Sequence, residues 1–345
     1  MATTKNITTL SDQFDGALGR LELGDKRKRV ITAHTEIREL LESDEKLCAW
    51  GVDTVLIGSY ARGTTIYPGK DVDVFTKLTK LDTASIDPKT VFEAVRDVLV
   101  REYGERAEPQ ERSIKVTVPI DDEEDFHVDV VPAVRHDRHW AIPRHDTSLW
   151  ISADVSQRWV ETDPEKLTEL TGKQNETPNV AGRGVYVPTV KLVRQIRRHH
   201  RGKAKPGGFY FELMTYWAFD AGIDGDSFAE ILANALVEIA AQLNSGQPLI
   251  DPALMEPYRP EPDATDRMNA AALFTGLAQD AQHALTLDKC EAAVIWRKIL
   301  GEIDDFGPIF EIPPGCDAQG RKLPAFAVGA RGSEEASRFA SRRDN

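Results

Sequence analysis

Three aspartates and a Gly-Ser turn are the residues whose types and spacing could do chemistry here. The stretch GSYARGTTIYPGKDVDVF, residues 58–75, follows an apolar run, Val55-Leu56-Ile57, that reads as a short buried strand. A polar loop after the turn leads to a second strand, in which Asp71 and Asp73 alternate with Val72 and Val74. Side chains two apart on a strand share a face, so both carboxylates point one way and the valines pack behind them. Along the strand the acids stand roughly 6–7 Å apart. They repel each other unless a cation sits between them. Oxygen-only ligands at this density suit Mg²⁺ or Mn²⁺, which bind through a few carboxylates plus substrate phosphates. The turn offers the Gly58 and Ser59 backbone and the Ser59 hydroxyl to phosphate oxygens. A bare Asp-x-Asp also fits a solvated strand edge; the Gly-Ser turn upstream favours the metal reading.

The elements that must position these groups follow from hydrophobic period. Residues 9–43 are predicted helical, with stripes at Leu10, Phe14 and Leu18 and at Val30, His34, Ile37 and Leu41, broken near Gly24-Asp25. His34 reads as a partly buried helix residue. Asp87-Pro88 opens a helix that Gly104 ends. Next come SIKVTVPI, an acidic turn at 121–125, and FHVDVVPAV. In the last, Phe126, Val128 and Val130 share one face and His127, Asp129 and Val131 the other. A carboxylate on an otherwise apolar strand makes Asp129 the candidate third metal ligand, with His127 beside it rather than on the ion. Residues 132–153 read as an irregular connection, and the spacing of His136, His139 and His145 fits no zinc pattern. The remainder is mostly helical, over 210–221, 226–244, 263–287 and 288–301, with further helices starting at Thr162-Asp163-Pro164 and Pro188.

Charge and composition exclude several classes. The net charge of −13 over 345 residues argues against binding long nucleic acid non-specifically. No apolar run is long enough to span a membrane, and the first residues carry no signal-peptide pattern. Cys48, Cys290 and Cys316 lie far apart, which fits reduced thiols in the cytoplasm. Positive charge is concentrated in VKLVRQIRRHHRGKAK, where Lys191, Arg194, Arg198 and Arg201 step along one helical stripe and could hold a triphosphate. A solvated basic helix face has the same composition.

Taken together, Gly58-Ser59, Asp71-Val72-Asp73 and Val128-Asp129-Val130 resemble the active site of the DNA polymerase beta-like nucleotidyltransferases. The second half narrows the match. VPTVKLVRQIR followed by GGFYFELMTYWAF is similar to the helical half of oligoadenylate synthases and of the bacterial cyclic GMP-AMP synthase-like enzymes, the CD-NTases. So are LIDP at 249–252 and DKCEAAVIWRKILGE at 288–302. The resemblance implies an α+β fold: a nucleotidyltransferase lobe with a mixed twisted sheet (1–155), a helical lobe (156–312) and a flexible tail (313–345). It implies two Mg²⁺ or Mn²⁺ ions on Asp71, Asp73 and Asp129, and a donor triphosphate on Ser59 and on Lys191 or Arg194. Tyr210 falls where oligoadenylate synthases stack a nucleobase; an aromatic at a helix start is also a core residue. The implied activity joins ribonucleoside triphosphates, ATP among them, into a cyclic oligonucleotide for anti-phage signalling, read by a separate effector and open to a regulatory protein partner. A linear oligoadenylate synthase, or transfer to tRNA, a small molecule or protein, is the alternative. The zinc insertion of the animal cyclic GMP-AMP synthase has no counterpart here.

Overall fold

The computed structural model describes residues 7–324, apart from 25, 122–123, 145 and 305. Its contacts divide the chain into two units: residues 22–173 with 251–256, built on a sheet, and the rest, which is helical. Helix α1 (Ser11–Leu21) falls with the helical unit.

In the sheet unit, α2 (Lys26–Ser43) and α3 (Glu45–Ala49) precede β1 (Val52–Ile57), the one-turn helix α4 (Gly58–Ala61) and β2 (Asp71–Asp82). Helix α5 (Pro88–Tyr103) follows, then β3 (Ala107–Pro109), β4 (Ile114–Asp121), β5 (Glu124–His136), β6 (His139–Pro143) and β7 (Trp159–Thr162). Strand order is β1-β2-β5-β4-β3, with β6 on β5 and β7 on β6. Among the described residues of this sheet, β2 and β5 are the parallel pair and the other pairings are antiparallel. A parallel pair needs a long crossover, and α5 with the β3–β4 hairpin supplies it. Helix α5 forms where the sequence said: the Asp87 carboxylate accepts the Thr90 N–H at 2.9 Å, Pro88 takes the first position, and Gly104 stops it at φ +56°.

Alternation gives the sheet two different faces. Val72, Val74 and Leu78 of β2 and Val128 and Val130 of β5 join Ile37 and Leu41 of α2 and Val91, Val95 and Leu99 of α5 in the larger core. Each such side chain contributes about 1.5–3 kcal/mol on burial. Opposite parity puts Phe75 and Ala133 on the other face, in a smaller core with Trp140 and Ile142 of β6. Asp71, Asp73 and Asp129 share that second parity, beyond the end of the smaller core.

The helical unit continues from α6 (Pro164–Gln174), which begins in the sheet unit, to α7 (Tyr186–Arg201), α8 (Gly208–Asp220), α9 (Phe228–Ser245), α10 (Ala264–Ala284) and α11 (Lys289–Leu300). Phe14 of α1 meets Trp296 and Phe310 edge to face, with ring centroids 5.0 and 5.1 Å apart. All three rings are fully buried. No helix among the described residues is long and apolar enough to cross a membrane.

Three expectations are corrected. The first half of the expected irregular connection 132–153 is a hairpin: β5 runs to His136 and β6 returns from His139 to Pro143, so Trp140 and Ile142 cover Phe75. The His and Arg residues that masked the pattern sit at the β5–β6 turn, where His136 bonds Thr83 at 2.9 Å and His139 pairs with Glu161; His145 lies outside the described residues. Cys290 and Cys316 form a disulfide, leaving Cys48 as the free thiol. Distance along the chain hid the pair, because the chain after α11 returns to that helix's first turn. The flexible tail expected over 313–345 is ordered at its start. Asp317 Oδ1 accepts the Gln319 and Arg321 N–H groups at 2.9 and 2.8 Å, and Lys322 reaches Asp288, the N-cap of α11, at 3.3 Å. Residues 325–345 lie outside the described residues.

The disulfide generates a test. The protein denatured without reductant should titrate one thiol per chain, and three after reduction. For a closed loop of this size the chain-entropy account gives about 3.5 kcal/mol of stabilisation. Reduction or Cys316→Ser should therefore lower the melting temperature; three reactive thiols in unreduced protein would refute the pairing.

Candidate active site

Strand register brings the acids of the sheet unit together. In the parallel β2–β5 pair, Asp71 lies opposite His127 and Asp73 opposite Asp129. Ile57, the last residue of β1, pairs with Asp73 on its other side. The next residue, Gly58, starts α4 at φ +68°. A Cβ placed there would overlap the Asp73 carboxylate. Glycine is therefore required twice, by its backbone angle and by the close approach of Asp73. That contact couples the turn to the acids.

Ser59 is held within the same loop. Its carbonyl accepts the N–H groups of Thr64 at 2.8 Å and Thr65 at 3.2 Å, and its hydroxyl accepts from Thr65 Oγ1 at 3.0 Å. Arg62 caps α4 through its N–H to the Gly58 carbonyl at 3.2 Å, with its side chain buried.

The electrostatics differ from acid to acid. Asp71 is exposed, whereas Asp73 and Asp129 are partly buried. Asp129 Oδ1 is buried with no hydrogen-bond partner among the described residues. Burial, followed by the nearby charge of Asp71, pushes the Asp129 carboxyl above its ordinary value; His127 and Lys115 pull weakly the other way. Lys115 is engaged by Glu108 at 2.8 Å. Among the described residues no group of three or more His, Cys, Asp or Glu side chains is gathered closely enough to hold an ion. The fit to a hard divalent cation rests on the oxygen-only donor set and on the orphaned Asp129 oxygen, which a cation would satisfy.

Lys191, Arg194 and Tyr210 belong to the helical unit. Lys191 is largely buried on α7. Arg194 donates to Glu212 of α8 at 3.2 Å, and that carboxylate is itself buried. The sequence reading missed Glu212, although an acid within the apolar run GFYFELM was the signal for a buried partner. Tyr210 is 3 % exposed, and its ring lies edge to face with Tyr258 at 5.7 Å and Phe211 at 6.1 Å. It is packed as a core aromatic.

Comparison with known proteins agrees with this architecture. Residues 8–175 match the family model of the Second Messenger Oligonucleotide or Dinucleotide Synthetase domain. A curated relative, the cyclic AMP-AMP-AMP synthase of Acinetobacter sp. (strain ATCC 27244 / 9458), is 29% identical over 222 residues, 61% of this chain. The match spans 59% of that relative's length. The structure of E. coli MS115-1 CdnC with ATP has a TM-score of 0.65 at 16% identity, covering 87% of this chain and 98% of that one. That of Bradyrhizobium diazoefficiens CdnG, a CD-NTase, with GTP has a TM-score of 0.63 at 15% identity, covering 80% and 92%. A complex of E. coli MS115-1 CdnC with HORMA-deltaN scores 0.62 at 15% identity, covering 88% and 99%. These likenesses establish the α+β fold.

The raised Asp129 pKa gives a stability test. A carboxyl whose folded pKa lies above its unfolded value of about 4 costs stability while ionised, and the cost lifts as pH falls through the folded pKa. In chelator at pH 7, Asp129→Asn should therefore melt at or above the wild type, and the difference should close under acid. A lower melting temperature for Asp129→Asn at pH 7 would show that the ionised carboxylate stabilises the fold.

Proposed function

We propose, from the match of residues 8–175 to the family model of the Second Messenger Oligonucleotide or Dinucleotide Synthetase domain, that this chain is a nucleotidyltransferase making a cyclic oligonucleotide. A hydroxyl of one nucleotide attacks the α-phosphate of another, the bond to the bridging oxygen breaks, and pyrophosphate leaves. The observation that carries the reading is Asp129, directly across from Asp73 and charged against Asp71, with a buried oxygen that finds no partner among the described residues.

Asp71, Asp73 and Asp129 would hold divalent ions, Mg²⁺ or Mn²⁺, which supply charge neutralisation at the α-phosphate and acidify the attacking hydroxyl. The chain's own residues do the remaining work. Ser59 donates its hydroxyl to the donor triphosphate. Lys191 and Arg194 of α7 are the candidate triphosphate cations, and Arg194 is already paired with Glu212. Asp129, across the strand pair from Asp73, is placed beside the candidate ions, where a carboxylate could assist loss of the attacking hydroxyl's proton. Positioning and electrostatics account for the rate, with no covalent intermediate on the protein.

The name of the Acinetobacter relative favours ATP as a substrate, although solved relatives also hold GTP. The complex with HORMA-deltaN supports a regulatory protein partner for this chain. Nucleoside triphosphate substrates favour a reaction in the cytoplasm, and in this proposal the product is read by a separate effector in anti-phage signalling. A linear synthase would share the acids and the turn, so the form of the product separates the two.

Purified full-length protein given the four ribonucleoside triphosphates with Mg²⁺ or Mn²⁺ should yield a short product resistant to phosphatase. Omitting ATP should abolish it, and Asp73→Asn should make none. A product whose terminal phosphates are all removed by phosphatase would favour the linear synthase; labelled tRNA or protein as sole product would overturn the reading.

A further inference from the structure

The turn that carries Ser59 contains a second hydroxyl whose geometry is as constrained as that of the serine. After Gly63 the chain doubles back, so that the Thr64 and Thr65 N–H groups both donate to the Ser59 carbonyl. Thr64 is fully buried, and its hydroxyl approaches the same carbonyl at 3.4 Å. This fixes the backbone of Ser59 from one side. Thr65 then lies beside Ser59 with its Oγ1 donating to the serine Oγ at 3.0 Å.

The aim of Thr65 comes from its branched Cβ, which ties methyl and hydroxyl directions together. The methyl is seated over Gly69: a Cβ built at that glycine, whose φ is +49°, would come within 2.9 Å of Thr65 Cγ2 and would also overlap Leu23. With the methyl held there, the hydroxyl is turned toward Ser59. A hydroxyl has one proton and two lone pairs. Accepting from Thr65 occupies one lone pair of Ser59 Oγ and leaves its own proton to donate elsewhere. A triphosphate is an acceptor-only group, so a serine prepared in this way is matched to it.

We infer that Thr65 is a positioning residue for the nucleotide site, acting through Ser59 by committing its own proton to the serine oxygen so that the serine proton points to the triphosphate. The inference rests on the nucleotidyltransferase reading above. Thr65 touches no reacting atom in this scheme. Thr64 and Gly69 support it, one by fixing the serine backbone and the other by leaving room for the threonine methyl.

The test measures binding rather than turnover, by calorimetric titration of the full-length protein with a non-hydrolysable α,β-methylene analogue of ATP in Mn²⁺. Thr65→Val keeps the shape and removes the hydroxyl, and should weaken binding about tenfold, the worth of one charge-assisted hydrogen bond. Thr65→Ser restores the hydroxyl and should bind within about threefold of wild type on the same scale. In a Ser59→Ala background, Thr65→Val should add nothing, because its effect passes through the serine. A merely structural threonine would weaken binding equally in both backgrounds. Should Thr65→Val fail to fold, Thr65→Ala takes its place with the same expected outcomes. Wild-type affinity in the hydroxyl-free variant, or the same loss with and without Ser59, overturns the inference and leaves the functional reading standing. A wild-type protein that binds no triphosphate analogue overturns both.

Discussion

Repulsion between carboxylates on one face of a sheet is the constraint around which this structure is built. Asp73 and Asp129 face each other across a parallel strand pair, and Asp71 lies one step along. Like charges directly opposite each other weaken a sheet. The strands stay paired because their other faces bury Val72, Val74, Val128 and Val130 against α2 and α5. Core burial thus compensates a locally unfavourable arrangement, the pattern expected where a site is kept for chemistry at some cost in stability. Asp129 registers that cost in its raised pKa and in its orphaned oxygen.

The turn before β2 is tied to the same feature. Gly58 lacks a side chain where Asp73 passes closest, so strand, turn and acid form one rigid corner. The close approach at Gly58 ties the turn that carries Ser59 to Asp73. In the helical unit the phosphate-binding candidates are less equal than their spacing suggested. Arg194 is held by a buried glutamate of α8, and Tyr210 is locked among aromatic rings.

Much of this was legible in the sequence, for identifiable reasons. The two-residue period of DVDVF and FHVDVV fixed which side chains share a face, and the β2–β5 register follows that parity. Asp87-Pro88 and Gly104 marked both ends of α5 by capping chemistry. Features that depend on residues distant in sequence stayed hidden. The Cys290–Cys316 bond, the Arg194–Glu212 pair and the burial of Tyr210 against Tyr258 arise only when separate helices meet. The β5–β6 hairpin was hidden for another reason: its turn residues are polar, and their neighbours' alternation was too short to stand out. Thr65 escaped because a threonine in a polar loop carries no signal until its methyl is seen against Gly69.

The central claim is that these three acids form a cation-dependent triphosphate site. The most direct measurement is a Mn²⁺ titration of the full-length protein, followed by electron paramagnetic resonance, with and without a non-hydrolysable nucleoside triphosphate. The account predicts that the analogue and Mn²⁺ bind cooperatively to the wild type, and that Asp129→Asn or Asp73→Asn abolishes the cooperativity while the fold is retained. Equal binding of the analogue in chelator, or unchanged Mn²⁺ binding in both variants, would contradict it.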